Sequence, residues 1–130
     1  MQSRDAVAVT KLVEDAKNDR DVLAVILFGS EARGEARAGS DVDVCLVLED
    51  KRLDTLGQSQ KRIAYLASYD LDIQIFQQIP LHLRVRVLRE GKVLFCRDED
   101  KLYATAFQTA QHFEDFRHIH EGYLEAVANG

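Results

Sequence analysis

Apolar and polar positions along the chain follow two distinct periods. Residues 6–16 put Ala6, Val9, Leu12, Val13 and Ala16 at helical spacing with Lys11, Glu14 and Asp15 between them, which predicts an amphipathic helix. Val22–Phe28 is an unbroken apolar run of strand length, rich in branched residues, the pattern of a strand covered on both faces. The run stops at Gly29, and Ser30 to Asp41 hold two further glycines and little that a core would take up. Val42, Val44, Leu46 and Leu48 then alternate with Asp41, Asp43, Cys45 and Val47, the period of a second strand. Leu53, Leu56, Ile63 and Leu66 predict the apolar stripe of a second helix, and Leu71, Ile73 and Ile75, alternating with Asp70, Asp72, Gln74 and Phe76, a third strand. After Pro80 two periods compete. Leu81, Leu83, Val85 and Val87 alternate as in a strand, whereas Leu81, Val85 and Leu88 share a helix face. Pro80 at a first helical position and Gly91 just past the end favour the helix. Val93–Phe95 reads as a short strand. From Asp98, a suitable cap, a long amphipathic helix carries Leu102, Ala106, Phe113, Phe116, Tyr123, Leu124 and Val127 on or near one stripe. The order predicts an α/β (α+β) fold, a mixed sheet flanked by helices.

Composition narrows the classes open to such a fold. A length of 130 residues fits one domain, residues 1–130, and 46% apolar with 30% charged residues is a globular balance. With 17 Lys and Arg against 22 Asp and Glu the net charge is −5, so no positive field draws the chain to phosphate backbones and direct nucleic-acid binding is not expected. The longest apolar run is too short to span a bilayer, and the polar start Met1 to Asp5 is no signal peptide. Cys45 and Cys96 lack metal or redox spacing, which leaves a reduced, cytoplasmic protein as the expectation.

The candidate chemistry lies between the first two strands. A glycine directly after a buried strand lets the backbone turn sharply and a ligand come close, and Ser30 beside it offers a hydroxyl and an amide to phosphate oxygens. Asp41 and Asp43, two apart on a strand, leave the same face with α-carbons roughly 6.5 Å apart. Their carboxylates can converge on metals about 3.5–4 Å apart, and hard oxygen ligands of this kind suit magnesium. Asp72, on the third strand, can point at the same site, and a metal pair would offset the mutual repulsion of three inward carboxylates. An isolated Asp-x-Asp reads as ordinary solvent-facing strand residues. The whole constellation of buried strand, Gly-Ser, ten-residue spacer, Asp-Val-Asp and a further strand aspartate does not.

Gly29-Ser30, ten residues, Asp41-Val42-Asp43 resembles the signature of the DNA polymerase beta-like nucleotidyltransferase superfamily. The fuller string Gly29 to Gly34 followed by Gly39-Ser-Asp-Val-Asp43 is similar to its minimal nucleotidyltransferase (MNT) branch, and Leu71-Asp-Ile73 and Val85–Phe95 extend the likeness over nearly the whole chain. The resemblance implies the polymerase beta-like fold and nucleotidyl transfer from a nucleoside triphosphate, with ATP as substrate and two Mg2+ ions. Gly29 and Ser30 would hold the triphosphate. Asp41 and Asp43 would bind the metals, and Asp72 would help to activate the attacking hydroxyl. Arg33 and Ser40 lie inside the motif loop; either could touch phosphate, and Arg33 could equally pair with Glu31 or Glu35. Glu31, where relatives often carry an apolar or basic residue, and Gln74 and Ile75, where some are acidic, depart from the pattern without removing a catalytic group.

Members resembling this chain are commonly encoded with a small all-helical HEPN partner and act as antitoxins that transfer AMP to a tyrosine on it. That is the leading expectation, with a hetero-oligomer as its assembly. A nucleotidyltransferase for a small hydroxylated molecule such as an aminoglycoside is the first alternative, set back by the lack of room for an acceptor-gripping domain. A non-catalytic module that silences its partner by contact is the second, although it would need none of these carboxylates. His82, His112, His118 and His120 read as solvated or packing residues and Cys45 as a small buried filler. Arg84, Arg86, Arg89 and Lys92 form either a solvated helix face or a contact for an acidic partner or the nucleotide. Phe107, Phe113, Phe116 and Tyr123 read mostly as core, with a tail that offers an oligomer or partner surface.

Overall fold

The computed structural model describes residues 3–29, 42–50 and 52–129, with side chains described, among these, from residue 4 through residue 115. Its elements are α1 (Ser3–Lys17), β1 (Val22–Phe28), β2 (Asp43–Leu48), α2 (Thr55–Ser68), β3 (Asp72–Ile75), a short 3-10 turn (Phe76–Gln78), α3 (Leu81–Glu90), β4 (Lys92–Cys96) and α4 (Glu99–Asn129). The strands form one sheet in the order β3-β2-β1-β4, with β1 antiparallel to β2 and β4 and β2 parallel to β3. A parallel pair needs a crossover, and α2 supplies it. Among the described residues no helix is long and apolar enough to cross a membrane.

The unbroken apolar character of β1 follows from its place inside the sheet, where both faces are covered. On one face Val9, Leu12 and Ala16 of α1 and Tyr65 of α2 pack over Val25, Leu27, Val44, Leu46 and Ile73. On the other, Leu83, Val87 and Leu88 of α3 and Leu102 of α4 pack over Leu23, Ile26, Cys45 and Val47. β2 is therefore also buried on both faces, apart from its first residue, Asp43.

The ambiguous stretch after Pro80 is a helix. Pro80 stands at the N-cap, one place before the position expected, and Gly91 caps the end through its N–H on the Val87 carbonyl, 2.8 Å away. Gly91 has an ordinary φ of −75°. A β-carbon there would run into the Val87 carbonyl and the Ile26 side chain, so close approach to β1 is what requires glycine. Asp98 caps α4 as expected, accepting from the Asp100 and Lys101 amides at 3.0 and 3.3 Å.

Two apolar stripes differ from expectation. In α2, Leu56 and Ile63 are 65% and 64% exposed, while Tyr65 is buried with Leu53, Leu66 and Tyr69 beside it. The helix is rotated because two cations face inward: Lys61 reaches Asp19 and Asp21, and Arg62 donates to the Ile73 carbonyl at 2.8 Å. In α4, Phe107 is 64% exposed rather than core, and the face turned to the sheet carries Leu102 and the buried Thr109. The side chains of Phe116, His118, His120, Tyr123, Leu124 and Val127 lie outside the description.

Candidate active site

β1 ends at Phe28, and Gly29 follows with φ +82°, a left-handed conformation that glycine alone adopts freely. A β-carbon at Gly29 would also overlap the Asp43 carboxylate. The turn is what requires glycine, and any side chain there would also displace the Asp43 carboxylate. Asp43 opens β2 and pairs with Phe28 on one side and with Asp72, the first residue of β3, on the other. Adjacent strands lie about 4.8 Å apart, and residues opposite one another in register project to the same face. Asp43 shares its face with Cys45 and Val47, and Asp72 shares its face with Gln74, so both half-buried carboxylates stand at the uncovered end of the face that α3 packs on.

They open into a cavity of about 350 Å³. Phe28 with Ile79, Pro80 and Leu83 forms its apolar wall, and Gln74 and Gln78 add two amides. Gln74 donates from Nε2 to Asp72 Oδ1 at 3.2 Å, a neutral contact that leaves the charge of the carboxylate in place. No cation pairs with Asp72 among the described residues. Two carboxylates on neighbouring strands repel one another at close range, and their hard oxygens fit a small divalent cation. Among the described residues no third His, Cys, Asp or Glu joins them.

Of the residues singled out in the sequence, the structure brings Gly29, Asp43 and Asp72 together. Ser30, Arg33, Ser40 and Asp41 lie outside the described residues. Gln74, noted in the sequence only as a departure, is a neighbour of Asp72 on the same strand face, and period-two spacing carried that signal. The wall made by Phe28, Ile79, Pro80 and Leu83 depends on where α3 lands, which no local pattern encodes.

Cys45 is fully buried, and desolvation pushes its thiol up to about 12, as suits an inert filler. His82 and His112 are exposed. Within the basic cluster, Arg84 donates to the Ile79 carbonyl at 2.9 Å and Arg86 pairs with Glu90 at 3.5 Å, so these two serve α3 itself. A larger cavity, about 420 Å³, opens under α4 at the opposite end of the sheet, away from the carboxylates.

The family model described as Polymerase beta, Nucleotidyltransferase matches residues 10–100, a span that takes in all four strands and both carboxylates. A protein of Methanocaldococcus jannaschii, MJ1547, provisionally named a protein adenylyltransferase, is 33% identical over 100 residues, covering 75% of this chain and 69% of its own length. The fold is similar to that of a chain in a crystal structure of a toxin-antitoxin with AMP-PNP, at a TM-score of 0.66 and 22% identity over 93% of this chain and 96% of the other. It is also similar to a chain in a structure of a tri-AMPylated Shewanella oneidensis HEPN toxin in complex with MNT antitoxin, at 0.64 and 19% identity over 98% of each. At these identities the likeness to both structures is one of fold.

Proposed function

The chain belongs to the polymerase beta nucleotidyltransferase family, and from that premise we propose that it is a magnesium-dependent adenylyltransferase that moves AMP from ATP to a tyrosine hydroxyl of a helical HEPN toxin, as that toxin's antitoxin. The observation that carries this reading is the in-register pair Asp43 and Asp72 at one end of the sheet, beside a left-handed Gly29. Further support comes from the adenylyltransferase name borne by the M. jannaschii relative and from fold neighbours that include a toxin-antitoxin with a nucleotide analogue and a complex with an AMPylated HEPN toxin. In this reading residues 1–130 form one catalytic domain working in the cytoplasm, where ATP is abundant and Cys45 and Cys96 stay reduced.

Asp41, Asp43 and Asp72 would hold two magnesium ions, which supply charge neutralisation at the phosphates and a lowered pKa at the attacking hydroxyl. Gly29 would present backbone at close range and Ser30 its amide and hydroxyl to the triphosphate, and Ser40 and Arg33 are the further candidates for phosphate oxygens. Asp72 takes the proton from the attacking hydroxyl. The chain's own contribution is alignment for in-line displacement at the α-phosphorus and placement of charge where it develops.

The test is intact-mass spectrometry of the neighbour-encoded HEPN protein after incubation with the chain, ATP and magnesium. Each transferred AMP adds about 329 Da through displacement at the α-phosphorus, and chelation of the metal stops the gain. An unmodified yet silenced partner would favour the contact-only module, and a modified small molecule with an untouched partner the aminoglycoside-type enzyme.

A further inference from the structure

β4 forms one edge of the sheet, with β1 on its inner side. Along that edge Val93 and Tyr103 stand exposed, Tyr103 at 81%, on the rim of a groove of about 350 Å³. Ile26, Val87, Leu88 and Leu102 line the groove, and Glu99 is its one charged member among the described residues. Phe107, also exposed, follows Tyr103 by one turn of α4 and shares its side of the helix. An apolar patch of this kind, bordered by charge, marks an interaction surface. The bordering charges are polarised along β4. Arg89 and Lys92 stand at its start, where Glu90 is taken up by Arg86 at 3.5 Å. Asp98, Glu99 and Asp100 follow its end, where Arg97 turns to the α1 carbonyls and the Phe95 ring and Lys101 pairs with Glu49 at 3.3 Å. The patch therefore has a positive end and a negative end. Turned end for end, it is complementary to itself, which is the requirement of a two-fold interface.

We infer that this face docks a second copy of the chain, forming a two-fold homodimer in which each β4 runs antiparallel to its counterpart. Arg89 and Lys92 of each copy then lie toward Asp98, Glu99 and Asp100 of the other. Tyr103 and Phe107 of each copy cover the other's groove, so the aromatic rings that are wet in the single chain are buried together. β4 carries one extra residue, because its pairing with β1 jumps from Phe95 to Val93. An irregular edge resists continuation of the ladder, so the two copies meet through side chains rather than through a shared sheet. The groove and the carboxylate cavity have no lining residue in common, and β3 is the opposite edge of the sheet. The dimer thus stands apart from the adenylyltransferase reading.

The test is sedimentation equilibrium of the chain alone over about 1 μM to 1 mM. A species of twice the chain mass should form, and the mass of a single chain throughout overturns the inference. Val93→Lys, at an exposed strand position, places a charge in the middle of the patch. It should weaken association about tenfold or more, as a charge buried without a partner does, with the circular dichroism spectrum unchanged. A charge swap then reads the orientation. Arg89→Glu with Lys92→Glu makes both ends of the patch negative, and Glu99→Lys with Asp100→Lys makes both ends positive. Each double variant alone should associate about tenfold more weakly. An equimolar mixture of the two should recover the double mass, because every end then meets its opposite. Undiminished association of Val93→Lys, or of either double variant alone, would place the contact on another surface and overturns the inference. So does a mixture of the two, each with the wild-type circular dichroism spectrum, that fails to recover the double mass.

Discussion

The two ends of the sheet treat their carboxylates in opposite ways. At the end where β1 begins, Asp19 and Asp21 have fixed partners. Lys61 Nζ lies 3.0 Å from Asp19 and 2.9 Å from Asp21, Tyr65 donates to Asp19 at 3.0 Å, and Arg52 donates to Asp21. Arg97 adds four bonds to the carbonyls of Ala16, Lys17, Asp19 and Val22, closing the C-terminal turn of α1. At the end where β1 finishes, Asp43 and Asp72 stand side by side, and the partner of Asp72 is a neutral amide. One end spends its charge on holding the chain together. The other sets two carboxylates side by side in register, an arrangement of hard oxygens that suits a small divalent cation.

The sharpest way to break this contrast is Asp72→Asn. If the carboxylate serves chemistry, the rate of AMP transfer should fall on the order of 10³-fold, while the urea midpoint stays the same or rises because a like-charge neighbour of Asp43 is gone. A midpoint that falls with the rate would make Asp72 a structural residue like Asp19. The mirror experiment is Asp19→Ala, which removes charged hydrogen bonds to Lys61 and Tyr65 and should lower stability by about 2–3 kcal/mol. Transfer per folded molecule should be unchanged. Gly29→Ala lies between these two, since it forces a side chain into a left-handed turn and against Asp43. About 1–2 kcal/mol of stability and most of the nucleotide-induced rise in melting temperature should go together.

Acid sharpens the comparison from the other side. The Asp21 carboxyl is held below its ordinary value of 3.8, first by the Lys61 hydrogen bond and then by Arg52. A group depressed in the folded state contributes stability that is present above the unfolded value and lost as pH falls through the folded one. Urea midpoints of the wild type should therefore drop below pH 3.8, and those of Asp21→Asn should drop less across the same interval. Equal slopes would mean that the Asp21 pair contributes nothing to folding.

Legibility in the sequence divides along the same line. Gly29, Asp43 and Asp72 were readable because each obeys a local rule: a glycine after an apolar run, and aspartates at polar positions of period-two strands. The β-strands were readable for the same reason, β1 with its bounds. What escaped depends on contacts remote in sequence. Lys61 and Arg62 look like the polar face of α2 until Asp19, Asp21 and the Ile73 carbonyl are placed beneath them. The apolar wall of the cavity needs α3 folded back over the end of β3, and Pro80 and Gly91 mark the ends of α3 without saying where it docks.

The smallest expected effect tests that lesson on α2. Its apolar spacing put Ile63 toward the sheet, yet the side chain is 64% exposed, and the helix instead turns Tyr65, Lys61 and Arg62 inward. Burial of an isoleucine is worth about 1.5–3 kcal/mol, so a core position would register clearly on removal. Ile63→Gln keeps a good helix former on an exposed face and should shift stability by no more than about 0.5 kcal/mol. Lys61→Met, equally apolar-for-polar on paper but in the opposite sense, removes the cation shared by Asp19 and Asp21 and should cost about 2 kcal/mol. The polar residue should therefore outweigh the apolar one on the same helix. Urea denaturation of the two variants side by side decides it, and an Ile63→Gln loss equal to that of Lys61→Met would return the helix to the orientation that its apolar spacing predicts.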